Sequence, residues 1–252
     1  MVQTRKHKKR FTEFDMRIIA RRIAMDLPIY PQYGGVRAQG IVSANGFNYN
    51  YIEDYTAGAY TIYAGRPRLK SDCFLLFVNP DKVAVLHSMR QSKDCAFQDN
   101  ATSYNLLHAA MQLAKEKGAT RIELTDVANK RLPYEKSFRL STMYFLTTGR
   151  TWYETYGDFH PIAADEPDVS MWRHMALTNQ WNKVYSCLKK QIPDITIPVD
   201  ISDIDGRAKG SAMEVFRRIK DARSSFFADY QRALMICSKI GPLESITWYA
   251  DL

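Results

Sequence analysis

Five cations, Arg5, Lys6, Lys8, Lys9 and Arg10, fall within the first ten residues, a stretch that holds no acid. Cations packed this densely can displace the counterions condensed on a polyanion, so the run offers a contact to nucleic acid or another anionic surface. As a structural feature it is a solvated terminus. A second group, Tyr49, Tyr51, Tyr55, Tyr60 and Tyr63, followed by Arg66, Arg68 and Lys70, joins ring faces to positive charge. That pairing can stack the bases of a single strand, and the same spacing also packs a sheet. Asp200, Asp203 and Asp205 ahead of Gly206 are similar to the start of a calcium loop, but no glutamate stands at its closing position. The chain has no HExxH zinc pair, no GxSxG nucleophile elbow and no GxxxxGK[ST] phosphate loop, and neither His160 nor His174 has a partner at metal-ligand spacing. No metal is expected.

Cys73, Cys95, Cys187 and Cys237 form no CxxC pair and lie far apart, so reduced, mostly buried thiols are the expectation. With 252 residues, 46% of them hydrophobic, and 15 tyrosines, the chain can bury a large core and is not a disordered one. The net charge of +8 sits mostly in the first ten residues, since the rest carries 30 basic against 27 acidic side chains. No uncharged apolar run is long enough to span a bilayer, and no apolar signal core follows the basic start. These features point to an intracellular protein of the cytoplasm or nucleus, or one incorporated in a particle assembled there.

The elements that must position these residues follow from periodicity. Thr12 and Asp15 form the start of a helix whose apolar side is Met16, Ile19, Ala20, Ile23 and Leu27, and Pro28 and Pro31 end it. Asn45-Gly46 predicts a hairpin turn between residues 40–42 and 47–49. Residues 73–78 and 83–87 are apolar and β-prone around Asn79-Pro80-Asp81-Lys82, which predicts a second hairpin. Thr102 or Ser103 can cap a helix running from about Tyr104 to Lys117, whose apolar face is Leu106, Leu107, Ala110, Leu113 and Ala114, with Gly118 as its stop. Arg121–Thr125 then reads as a strand, and residues 134–156 as a buried helical region broken near Gly149. Beyond His160 the prolines and apolar spacing predict helices at 169–190 and 211–240, with a loop at 192–204 and no further strand.

The stretch Leu106–Leu124 resembles the helix and following strand of the GNAT superfamily of acetyltransferases. Trp152-Tyr153-Glu154-Thr155-Tyr156-Gly157-Asp158-Phe159 is similar to that superfamily's aromatic-Tyr-Glu-x-x-Gly-Phe signature. The resemblance covers about a third of the chain. It implies an acyl-CoA-dependent N-acetyl transfer with acetyl-CoA as cofactor, its pyrophosphate held at the helix start by Asn100, Ala101, Thr102 and Ser103. It also implies Tyr153 as general acid towards the departing thiolate, with Glu123 or His87 as base for an amine. The sequence departs from the family's Gln/Arg-x-x-Gly-x-Gly/Ala loop: Ala96, Asp99 and Ala101 occupy the equivalent positions, and the Asp99 carboxylate opposes a diphosphate unless Arg90 or Lys93 offsets it. The basic start and the Leu146–Tyr153 phrase also look like proteins of large eukaryotic DNA viruses, which implies a virion or DNA-associated component.

The expected architecture is therefore an α+β fold with a GNAT-like mixed β-sheet flanked by helices. Residues 1–10 form a basic tail, 11–160 the mixed domain and 161–252 a helical extension packed on it. Two functions follow: an acetyltransferase-like protein with a divergent cofactor loop, or a non-enzymatic basic component that contacts nucleic acid or other subunits of an assembly.

Overall fold

Two tight turns organise the first strands. β1 (Val36–Ala44) and β2 (Phe47–Thr56) are joined by Asn45-Gly46, and β2 reaches β3 (Ala59–Ala64) through Ala57-Gly58. Asn45 and Ala57 both adopt a φ of 51°, with Gly46 at 81° and Gly58 at 79°, the left-handed pairs whose twist suits a two-residue hairpin. The structure is a computed structural model that describes residues 36–65, 73–90, 102–125, 129–131, 137–201 and 210–252. The expected helix near Met16–Leu27 and the basic run lie outside the described residues.

β4 (Phe74–Val78) and β5 (Val83–Met89) extend the antiparallel meander, and their register shifts between Leu75 and Leu76. Leu75 faces Ser88 and Leu76 faces Leu86, so His87 is the extra residue of a bulge. α1 (Ser103–Glu116) then crosses over to β6 (Arg121–Thr125), which pairs with β5 in parallel from Val83↔Arg121 to Leu86↔Leu124. β7 (Asn129–Arg131) and β8 (Ser137–Arg139) form a separate ribbon. The helices that follow are α2 (Leu140–Thr148), α3 (Trp152–Tyr156), α4 (Glu166–Thr178), α5 (Trp181–Gln191), α6 (Ala212–Arg223) and α7 (Ser225–Ser238). β9 (His160–Pro161) and β10 (Thr247–Asp251) return the chain to the large sheet, whose order is β1-β2-β3-β4-β5-β6-β10-β9. The α+β class with a mixed sheet is thus as expected. The region after His160 is not wholly helical: β10 enters between β6 and β9, antiparallel to both, with Trp248 fully buried.

Strand alternation divides the sheet into two faces. Cross-strand partners place Tyr51, Glu53, Tyr60, Ile62, Leu76, Leu86, Leu124 and Trp248 on one of them. α1 covers that face: Lys117 at its end reaches Glu53 at 2.5 Å and lies 5.2 Å from the centre of the Tyr60 ring. Burial opposes the Lys117 charge, but the hydrogen bond and attraction of Glu53 prevail and raise its pKa. Ile122 and Leu124 close the layer against the apolar side of α1, which supplies Leu106, Leu107, Ala110 and Leu113. The tyrosines do not form a stacking platform. Tyr49 is fully buried, Tyr63 falls on the opposite face from Tyr51 and Tyr60, and of the five only Tyr55 is exposed.

Four further expectations are corrected. Residues 137–139 belong to β8 rather than to a helix. The region 169–190 is two helices, because Asn179 leaves the helical conformation at ψ 130° and takes tertiary partners: its carbonyl accepts from Ala212 N at 2.9 Å and its amide donates to Ser238 O at 2.7 Å. The region 211–240 likewise divides at Ser224. The cysteines are oxidised: Cys187 on α5 and Cys237 on α7, 50 residues apart in sequence, come to a Cα–Cα distance of 5.5 Å and form a disulfide. Cys73 is also disulfide-bonded. Sequence separation carried no trace of this, because the pairing depends on the packing of α5 on α7.

Two arginines tie the helices together at the end of α2. Arg217 Nε of α6 donates to Thr147 O at 2.7 Å, and Arg173 Nε of α4 donates to Gly149 O at 3.1 Å. These carbonyls lie at the negative end of the helix, where a cation is favoured. Among the described residues no helix is long and apolar enough to cross a membrane.

Candidate ligand cleft between α1 and α3

Thr102 sets the start of α1. Its Oγ accepts from Asn105 N at 3.3 Å, while Asn105 Oδ1 accepts from Thr102 N at 3.0 Å and from the Thr102 hydroxyl at 2.6 Å. The box is closed by a buried neutral amide instead of a carboxylate, and the first turn contains no acid. The positive end of the helix is therefore not neutralised from within.

A second capping box fixes α3 opposite. Thr151 Oγ accepts from Glu154 N at 3.3 Å, and Thr151 N donates to Glu154 Oε2 at 2.7 Å. The other carboxylate oxygen of Glu154 takes the guanidinium of Arg173. Gly157 ends α3 where a larger residue would not fit: a Cβ there would stand 2.7 Å from the Phe159 ring and 2.9 Å from Leu107 of α1. The Glu and Gly of the quoted signature thus have structural duties, namely capping α3 and letting it approach α1.

Between the two helix starts lies a cleft of about 690 Å³ lined by Thr102, Ser103, Tyr104, Trp152, Thr155 and Tyr156. Tyr104 meets Tyr156 edge-on at 5.9 Å and His108 at 4.3 Å, and Trp152 packs against Tyr156 at 5.2 Å. Tyr156 also hydrogen-bonds Tyr144 of α2; burial first, and then Tyr156, raise the Tyr144 pKa. The Nε2 of His108 is enclosed without a hydrogen-bond partner among the described residues. Hydroxyls, an acid-free helix start and aromatic walls suit a ligand that combines an anionic group with a planar one.

The expected site residues are only partly brought together. Thr102 and Ser103 line the cleft, whereas Asn100, Ala101 and the Ala96–Asp99 segment lie outside the described residues, as do Arg5, Lys6, Lys8, Lys9 and Arg10. Tyr153 is buried beside the cleft, edge-on to Trp152 at 5.1 Å and to Phe159 at 5.7 Å, and it is not part of the lining. Glu123 and His87 are on the face of the sheet away from α1. Glu123 is held by Arg121, Nε to Oε1 at 3.2 Å, and Arg121 in turn lies 3.8 Å from the centre of the Tyr249 ring. His87 packs against Phe77 at 5.8 Å. Thr155 is one cleft residue that sequence reading did not assign to the site, and Tyr104, Trp152 and Tyr156 are the others. Their signal was the helical spacing of Tyr104 with His108 and of Trp152 with Tyr156, each an aromatic pair facing one side of its helix.

Among the described residues no group of three His, Cys, Asp or Glu side chains is arranged to hold a metal ion. Comparison with protein families, with curated proteins and with solved structures finds no match.

Proposed function

We infer that the chain is an acetyltransferase-like protein whose α1–α3 cleft binds an acyl-CoA-type ligand. The observation that carries this reading is the cleft itself, in which the acid-free first turn of α1 faces the aromatic side of α3. Thr102 and Ser103 would face the diphosphate, and Trp152 and Tyr156 would cover the apolar arm. The topology supports it too, because the parallel β5–α1–β6 crossover and the insertion of β10 between β6 and β9 suit a GNAT-like sheet.

When bound, the cofactor supplies a thioester carbonyl. In this reading Tyr153 would be the proton donor to the thiolate that leaves when the amine takes its place on the carbonyl carbon, and Glu123 or His87 would accept the amine proton. An arm reaching from the cleft to the Glu123 face would pass beyond Leu86↔Leu124, where the ladder between β5 and β6 stops while β5 continues to Met89.

Titrating acetyl-CoA into the protein tests the reading. Saturable binding is expected, with Ser103→Asp and Trp152→Ala each weakening it by about tenfold or more, since a carboxylate repels the diphosphate and the indole is a main wall. No binding at millimolar cofactor overturns it. A second reading rests on the charge run at residues 5–10: a basic component of an assembly, such as a virion, that contacts nucleic acid. For it, DNA affinity should fall steeply with salt and weaken when residues 1–10 are removed. The disulfides fit a setting where thiols are oxidised and so run against the expected cytoplasm or nucleus, where thiols are kept reduced; that location stands as a proposal, which non-reducing gels of the native protein would overturn by showing the cross-link intact.

A further inference from the structure

The bond between Cys187 and Cys237 is not sealed inside the helical layer. A separate cleft of about 560 Å³, lined by Asn182, Lys183, Ser186, Cys187, Lys190 and Gln191, opens on it. Cys187 is half-buried on that cleft, while Cys237 behind it is buried. Lys183 and Lys190 stand one helical turn to either side of Cys187 on the same face of α5, both exposed, and among the described residues no carboxylate lines the cleft. The Gln191 amide lies 3.7 Å from Cys187 Sγ and 3.5 Å from Cys237 Sγ, where it donates to either sulfur.

These features are those of an exchange site. A thiolate entering the cleft meets Cys187 first, with Cys237 as the sulfur behind. Positive charge on both sides attracts an anionic thiol and favours its thiolate form, and the amide stabilises the charge that develops on the departing sulfur. We propose that Cys187 is a thiol-exchange site for a small anionic thiol of the glutathione class. The incoming thiolate forms a bond to Cys187 Sγ, the Cys187–Cys237 bond breaks, and its electron pair stays on Cys237 Sγ, which takes up a proton from solvent. The product is a mixed disulfide on Cys187 and a free thiol at Cys237, with no net oxidation or reduction. This site is independent of the α1–α3 cleft and does not rest on the acyl-CoA reading.

The test uses the full-length oxidised chain incubated with reduced glutathione, quenched in acid, alkylated and mapped by mass spectrometry. One glutathionyl group is expected on Cys187, with the alkyl label on Cys237. The double variant Lys183→Glu/Lys190→Glu should slow this reaction by about tenfold, because its charges now repel the doubly anionic thiolate. Cysteamine, whose thiolate form is neutral overall, should react with that variant at a rate within about twofold of the parent. The proposal is overturned if the bond exchanges only after denaturant is added, if glutathione is found on Cys237 instead, or if both thiols slow equally.

Discussion

Tyr49 is fully enclosed by the sheet, and its hydroxyl has no hydrogen-bond partner among the described residues. Burial pushes its pKa up to about 12 from the usual value of 10.0. Between those values the unfolded chain has lost a proton that the folded one keeps, so stability falls as pH rises from about 10 to about 12, by on the order of 2 kcal/mol. Tyr49→Phe should remove most of that fall, and at neutral pH it should leave stability unchanged or raise it by about 1 kcal/mol, because an unpaired buried hydroxyl is lost. Urea titrations at pH 8 and pH 11 measure both effects. Glu154 behaves in the opposite way, since every partner is in place: replacing Arg173 by Met leaves a half-neutralised carboxylate in a buried cap and should cost about 3 kcal/mol. At this scale the sequence was a partial guide. Thr102 as the cap of α1 was legible because capping is local, whereas Glu154 looked like part of a catalytic signature. Its partner Arg173 is 19 residues further on and is brought back only by the packing of α4.

The elements show where local rules suffice. The hairpins at Asn45-Gly46 and at residues 79–82, α1 and β6 could be read from alternation, helical spacing and glycine stops, because each is set by residues close to one another in sequence; the hairpin at Ala57-Gly58 was not read. Gly157 marks a different kind of constraint, since its backbone touches a helix that begins more than forty residues earlier. Gly157→Ala should force α3 away from α1, cost about 1–3 kcal/mol by overpacking and weaken any ligand of the cleft, whereas Gly118→Ala, where a Cβ meets open space but φ is 82°, should cost about 1 kcal/mol through backbone strain and leave ligand affinity unchanged. Thermal melts and ligand titrations of the two variants separate these effects. Ala57 is the converse, a residue without special licence held at φ 51° in a hairpin turn. Ala57→Asn should stabilise the protein by about 0.5–1 kcal/mol, because asparagine tolerates that backbone at lower cost. The division at Asn179 could not be read ahead, since the bonds that replace the helix come from Ala212 and Ser238.

At the scale of the whole molecule the disulfide and β10 do related work, each joining distant parts of the chain. Removing the cross-link in Cys187→Ala/Cys237→Ala releases a loop of 50 residues in the unfolded state and should lower stability by about 4 kcal/mol on the chain-entropy estimate, measurable as a shift in the urea midpoint. β10 escaped sequence reading for a plain reason: Thr247–Asp251 is short and follows a long helical stretch, so nothing nearby announces a strand, and its partner lies more than 120 residues upstream. That arrangement has a kinetic side. Until residues 247–251 arrive, the edge of β6 remains unpaired and the Trp248 site is unfilled, so the sheet cannot be completed in the order in which it is synthesised. Pulsed hydrogen exchange during refolding should find the amides of β2 to β4 protected early and those shared by β6 and β10 protected last, and a chaperone that shields one open strand would have its target at Arg121–Thr125.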